Sequence, residues 1–192
     1  MRKKRLILGI SGASGAAIGI EALEMMRGQP DWECHLIMTR AAEQTIETET
    51  AYSAKQVKAL ADAAYDCFDT AAPPASGSFR ADGMLIAPCS MKTLAGIHSG
   101  YAGNLLLRAA DVTLKEGRRL VLCPRESPLS AIHLRNMQEL AAMGAVIAPP
   151  VITCYLRDCS AQGMIRQCAA RLLERFGIET GCVQRWKDGE EE

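Results

Sequence analysis

Residues 5–16 read Arg5-Leu6-Ile7-Leu8-Gly9-Ile10-Ser11-Gly12-Ala13-Ser14-Gly15-Ala16. An apolar run breaks into small and glycyl residues, and a helical pattern follows over Ala16–Arg27. Such a succession opens a βα unit, because a buried strand needs a tight turn before an amphipathic helix can pack back on it. The same signals recur down the chain. Apolar runs at Cys34–Met38, Met84–Pro88, Leu120–Pro124 and Ala145–Ala148 predict further strands. Helical patterns at Lys55–Tyr65, Leu105–Lys115, Ile132–Met143 and Gly163–Phe176 lie between and after them. Strands that are apolar on both faces and alternate with helices predict an α/β fold built on a doubly wound parallel sheet.

The 192-residue length suits one domain, expected over residues 1–186, with a charged tail at Lys187–Glu192. Lys and Arg total 22 and Asp and Glu total 22, so the net charge is zero. That balance offers no general field for nucleic acid or an anionic membrane surface, and any bound anion must be held by locally placed groups. Aromatic residues are 5% of the chain, too few for a base-stacking platform. The eight cysteines form no CxxC pair, and Cys34, Cys89 and Cys123 sit in or beside apolar runs. They read as reduced packing thiols of a cytoplasmic protein. Met1-Arg2-Lys3-Lys4-Arg5 before Leu6–Ile10 imitates a signal peptide, but five apolar residues are shorter than the usual ~7–15 of a signal core.

In doubly wound sheets ligands bind beyond the carboxyl ends of the strands, so the loops after each run carry the candidates. After the first strand, the Gly12-Ala13-Ser14-Gly15 turn lets a backbone approach a ligand closely and leads into a helix N-terminus. After the Met84 strand, Ser90-Met91-Lys92-Thr93 suits either phosphate contact or helix capping. After the Leu120 strand, Arg125 and Glu126 sit between Pro124 and Pro128. Arg108 and Lys115 are seven residues apart, which places them on one helix face; with Arg125 they could bind a phosphate dianion. No Walker A loop, HExxH pair, GxSxG elbow or DDxxD acidic pair occurs, and His35, His98 and His133 are scattered. No metal site is expected.

These motifs resemble those of the flavin prenyltransferase family, in particular the members associated with hydroxyarylic acid decarboxylases. The resemblance runs in order over residues 5–178. It takes in GASG after the first strand, Glu47-Thr48-Glu49-Thr50, Pro74-Ala75-Ser76-Gly77-Ser78 and PCSMKTLAGI (residues 88–97). It continues through RAADVTLKEGR (108–118), LVLCPRESPLS (120–130) and IHLRNM (132–137), and this succession is highly specific where the GASG loop alone is not. The resemblance implies a flavodoxin-like or Rossmann-like three-layer α/β/α fold and a homo-oligomer, commonly a dodecamer. It also implies transfer of a dimethylallyl group from dimethylallyl monophosphate to N5 and C6 of reduced FMN, without a metal. The prenylated FMN would serve a partner decarboxylase. By the same resemblance Gly12, Ala13, Ser14, Thr39, Ser90, Met91, Lys92, Thr93 and Arg125 contact FMN. Arg108, Lys115, Glu126, Tyr155 and Arg171 surround the allylic phosphate, and Ser14, Glu49, Lys115 and Glu126 are the catalytic set. Glu49 is preferred over Glu47 only on the resemblance.

Two stretches depart from the family pattern. Members carry an aromatic before the tyrosine matched by Tyr155, whereas Cys154 stands here, followed by Leu156-Arg157-Asp158-Cys159. Thr70 stands where some members place a Trp. Two other readings share the fold: an FMN-dependent cysteine decarboxylase, which would carry a Pro-x-Met-Asn segment absent here, and a non-catalytic FMN-binding accessory subunit.

Overall fold

The computed structural model describes residues 2–186; the charged tail expected at Lys187–Glu192 lies outside the described residues. Six parallel strands form one sheet: β1 Lys4–Ile10, β2 Trp32–Met38, β3 Ala63–Asp66, β4 Gly83–Cys89, β5 Arg119–Pro124 and β6 Val146–Ile147. Their order is β3-β2-β1-β4-β5-β6, so the direction of winding reverses between β1 and β4. This is the dinucleotide-fold order; without the short edge strand β3 it is the flavodoxin order. The helices are α1 Ala16–Arg27, α2 Arg40–Glu49, α3 Ala54–Lys58, α4 Met91–His98, α5 Leu105–Lys115, α6 Ala131–Ala142 and α7 Ala161–Glu174, with a single 3-10 turn at Pro73–Ala75.

The strands alternate between two cores, as period-two side chains require. Leu6, Leu8, Ile10, Cys34, Leu36, Leu85, Ala87, Val121 and Cys123 pack with α1 and α7 on one face. Ile7, Ile37, Met84, Ile86, Leu120 and Leu122 pack with α4 and α5 on the other. All eight cysteines are free thiols, and Cys34, Cys67, Cys89 and Cys123 are buried. Burial pushes the Cys89 thiol up to about 12, so it stays protonated and packs as a small apolar group.

Three expectations change. The segment predicted as one helix, Lys55–Tyr65, is the short α3 followed by β3. Asp62 divides them: its amide donates to Cys34 O at 3.1 Å and its carboxylate accepts from Cys34 N at 2.7 Å, which starts the pairing with β2. On this edge strand Ala63 is half-buried and Ala64 exposed. Helices α2 and α4 join the predicted ones; α2 buries only Ala42 and Ile46, too few for a clear apolar stripe in the sequence. The last predicted strand shrinks to Val146–Ile147.

His35 on β2 is buried, with Nδ1 2.9 Å from Tyr65 Oη and the ring edge against Phe79. Burial lowers its pKa, Arg5 lowers it further, and Glu33 opposes. A histidine held neutral by the fold contributes stability that is complete above its unfolded pKa of about 6.5 and is lost as pH falls below it. The thermal midpoint should therefore drop on acidification from about pH 7.5 to pH 5, and His35→Gln should make that drop shallower. An equal slope in the variant would show that His35 is not a source of it.

Candidate active site

The site forms where the winding reverses, at the carboxyl ends of β1 and β4. Ser11 joins the two ends. Its hydroxyl donates to Pro88 O at 2.9 Å and accepts from Ser90 N at 2.7 Å, and the residue is 1% exposed. Ser11 is absent from the expected contact set. Its only sequence signal is a hydroxyl placed between a strand and a glycine turn.

The turn after β1 passes close over α2. A Cβ at Gly12 would lie 2.3 Å from that of Ala41, so only glycine fits. The Ala13 amide donates to Ser11 O at 2.9 Å, and Gly15 has φ +98°. Helix α1 then begins without a side-chain cap from its own N-cap residue. Glu49, the last residue of α2, supplies one: its Oε2 accepts from Gly15 N at 2.8 Å and from Ala16 N at 3.3 Å. The expectation that these amides face an anionic ligand is therefore revised, because the chain's own carboxylate takes them. Partial burial pushes the Glu49 carboxyl upward, but a hydrogen bond from Ser14, the two amides and the charge of Arg125 outweigh it and hold the group below the ordinary carboxylate range. Glu49 stands as an ionised acceptor, touched by the Ser14 hydroxyl, in the field of Arg125.

Thr39 and Ser90 each cap a helix. Thr39 Oγ1 accepts from Ala42 N at 3.1 Å, and Ser90 Oγ accepts from Thr93 N at 3.3 Å while donating to Thr93 Oγ1 at 3.1 Å. Met91 and Lys92 occupy the first two positions of α4, where no described side chain caps the backbone amides. In contrast to α1, this helix start keeps donors for an oxyanion. The backbone amide of Arg125 donates to Cys89 O at 3.1 Å, which seats the loop after β5 beside Ser90. Gly12, Ala13, Ser14, Thr39, Glu49, Ser90–Thr93 and Arg125 are thus gathered at one end of the sheet. The set suits a flavin phosphate at α4, with a carboxylate and a hydroxyl beside the ring system. That fit rests on the uncapped α4 amides and the Gly12 turn.

The expected phosphate cations lie elsewhere in the chain. Arg108 donates from Nε to Ala75 O at 3.1 Å and from Nη1 to Asp111 at 2.5 Å. Lys115 pairs with Glu116 at 2.5 Å. Helix α5 runs back toward the start of β5, so Lys115 lies near the foot of that strand while Arg125 and Glu126 follow its head. Six strand residues separate the two levels by ~20 Å. One chain therefore does not bring Arg108, Lys115 and Arg125 onto a single phosphate, because a shared helix face says nothing about which end of the sheet a residue occupies. Glu126 is exposed, its Oε1 accepting from Ser127 N at 2.9 Å. Tyr155 rests edge-on against Trp186, with ring centroids 5.4 Å apart. Arg171 lines a cleft of about 370 Å³ beside β6 with Cys168, Val151, Thr153 and Arg175, a lining in which Tyr155 has no part.

Among the described residues no group of three or more His, Cys, Asp or Glu could hold a metal ion, and no helix is long and apolar enough to cross a membrane.

Comparison with known proteins agrees with this architecture. The family model described as Flavoprotein matches residues 1–169. The flavin prenyltransferase UbiX of Escherichia coli (strain K12) is 53% identical over 175 residues, 91% of this chain and 93% of that protein. The crystal structure of AnUbiX (PadA1) in complex with FMN and dimethylallyl pyrophosphate superposes with a TM-score of 0.95 at 50% identity, covering 98% of this chain and 100% of that one. A dodecameric FMN-dependent UbiX-like decarboxylase from Escherichia coli O157:H7 gives 0.94 at 50% identity, over 96% of this chain and 100% of that one. The chain belongs to the flavoprotein family and, within it, to the flavin prenyltransferases.

Proposed function

We propose that this prenyltransferase takes its dimethylallyl group from the monophosphate, that Glu49 and Ser14 manage the protons, and that a neighbouring copy of the chain completes the phosphate site. The observation that carries the reading is the Glu49 carboxylate. It is held ionised by Ser14, Gly15 and Ala16 at the strand ends, beside the start of α4 that would take a flavin phosphate.

Bound reduced FMN supplies the N5 and C6 atoms that take the dimethylallyl group. The Gly12–Ser14 turn, Thr39, Ser90–Thr93 and Arg125 would hold it, with the amides of Met91 and Lys92 toward its phosphate. The Glu49 carboxylate, orienting the Ser14 hydroxyl, would accept a proton; a carboxylate next to a hydroxyl suits general base work once water is excluded. Arg108, Lys115 and Arg171 would neutralise the phosphate as it departs and the Tyr155 hydroxyl would donate to it, since fixed cations in a dry site stabilise a developing dianion more than water does. Glu126 would hold the proton that this phosphate carries. Because Lys115 and Glu126 sit at opposite ends of β5, two copies must meet to join them, and exposed Leu129, Ile132, Leu134, Met143, Val151 and Ile152 offer apolar surface for that contact. The assembly would be a dodecamer, as in the UbiX-like relative. The product would pass to a partner decarboxylase in the cytoplasm.

Anaerobic incubation with reduced FMN and either dimethylallyl monophosphate or the diphosphate, followed by mass spectrometry of the flavin, tests the donor. The monophosphate should give FMN enlarged by one C5H8 unit. Product from the diphosphate alone would overturn the donor assignment. Unmodified FMN with both donors would overturn the reading and favour an accessory FMN-binding subunit.

A further inference from the structure

Arg118 closes the RAADVTLKEGR stretch and has no place in the phosphate set above. Its side chain is 18% exposed, unusually covered for an arginine. Nη1 donates to Phe79 O and Nη2 to Gly77 O, each at 2.7 Å. A planar guanidinium reaches the two carbonyls with two separate nitrogens in a fixed fork, a geometry that the single nitrogen of an ammonium lacks.

The strip so held runs along α5 and meets both proposed phosphate cations. At one end Ala75 O accepts from Arg108 Nε at 3.1 Å. At the other, a Cβ on Gly77 would lie 3.0 Å from Lys115 Nζ and 2.5 Å from Glu116 Oε1, so backbone and ammonium are in close register. Glu116 bonds Lys115 at 2.5 Å and faces Arg118 at 3.9 Å, which ties the lysine to the same clamp. From the sheet side, the Phe79 ring carries the Arg5 guanidinium at 5.1 Å and meets the His35 ring edge-on at 5.1 Å.

We propose that Arg118 is a positioning residue: by pinning the Gly77 and Phe79 carbonyls it fixes the backbone strip against which Arg108 and Lys115 are set to receive the allylic phosphate. The proposal rests on the reading that those two side chains bind the phosphate. Removing the guanidinium leaves Gly77 O without its partner and Phe79 O with the Ala81 amide alone, and it unpins the Gly77–Phe79 end of the strip while Arg108 still holds Ala75.

The test compares wild type, Arg118→Lys and Arg118→Ala as full-length protein. Amide exchange in the absence of ligand reads the strip directly, at Phe79 and Ala81, whose amides donate to Ser76 O and Phe79 O at 3.1 and 2.9 Å. Exchange there should quicken by roughly 10-fold in both variants. The KM for dimethylallyl monophosphate should rise by about 10-fold while kcat stays within about threefold and FMN affinity is unchanged. Added guanidinium ion should lower the raised KM of Arg118→Ala, and lysine should not substitute for arginine. Unchanged exchange, or an unchanged KM with kcat and FMN affinity falling together, would overturn the role. An inactive wild type would instead overturn the phosphate-site reading, with the exchange arm still deciding whether the clamp exists.

Discussion

Glu49→Gln should cut the rate of flavin prenylation by about 10²–10⁴-fold, the range for losing a general acid or base, while FMN still binds. The substitution is informative because glutamine separates the cap that Glu49 forms from the proton transfer proposed for it. As a cap it needs only an acceptor oxygen, which the amide keeps toward Gly15 and Ala16, so the β1–α1 turn and the flavin contacts proposed for Gly12 and Ala13 survive. As a proton acceptor it needs a carboxylate, and the amide has none. The cost in stability is the charge at the start of α1, about 0.3–1 kcal/mol in a largely exposed setting. Its pH dependence has a definite sign. The folded pKa lies below the ordinary value, so the wild-type advantage is complete above about pH 4.3 and disappears as pH falls through the folded pKa. Flavin fluorescence titration, single-turnover prenylation and thermal unfolding of the variant check the three parts. Loss of FMN binding together with activity would make Glu49 a structural cap only.

How much of this is legible in the sequence follows from where each signal lies. β1, its glycine turn and α1 are local in the sequence, and they decide the fold class because an apolar run, small residues and a helical period admit few other readings. The Gly12 turn, Ser90–Thr93 and Arg125 are legible as ligand-loop candidates for the same reason, because each follows a predicted strand, whereas Thr39 and the assignment of the set to a flavin come only from the family resemblance. Glu49 is not, because α2 is too polar to announce itself and the carboxylate acts on a helix 34 positions away in sequence. Without the family resemblance, Glu47 is an equal candidate. Ser11 reads in the sequence as a hydroxyl that could cap α1 or touch a ligand; that it instead joins two strand ends is not legible, because its partners, Pro88 and Ser90, lie on β4 and just beyond it, and adjacency of β1 and β4 is a property of strand order. The phosphate cations show the opposite failure. The spacing of Arg108 and Lys115 correctly places them on one helix face, but helical periodicity carries no information on how far along the sheet a residue stands. Periodicity therefore leaves convergence with Arg125 in one chain open, and the antiparallel run of α5 against β5 closes it.

That geometry leads to the second large effect. Lys115→Met and Glu126→Gln, each made alone, should lower kcat/KM by about 10²–10³-fold, the scale for removing one fixed group from a developing oxyanion. Mixed in equal amounts within one oligomer, the two inactive proteins should recover activity. Every site in the mixture takes its lysine from one chain and its glutamate from another if the ~20 Å along β5 is bridged by a neighbour. A site is intact when the lysine comes from a Glu126→Gln chain and the glutamate from a Lys115→Met chain, which random assembly gives in about one site in four. Co-expression with two affinity tags isolates the mixed oligomer, and its turnover should approach a quarter of wild type. If one chain supplied both groups, every site in the mixture would still lack one of them, and activity would remain at the level of the single variants. The double variant Lys115→Met with Glu126→Gln, co-assembled with wild type, completes the comparison. Sites shared between chains then retain only about one quarter of wild-type activity, since both groups must come from wild-type neighbours, whereas sites built within a chain retain about one half.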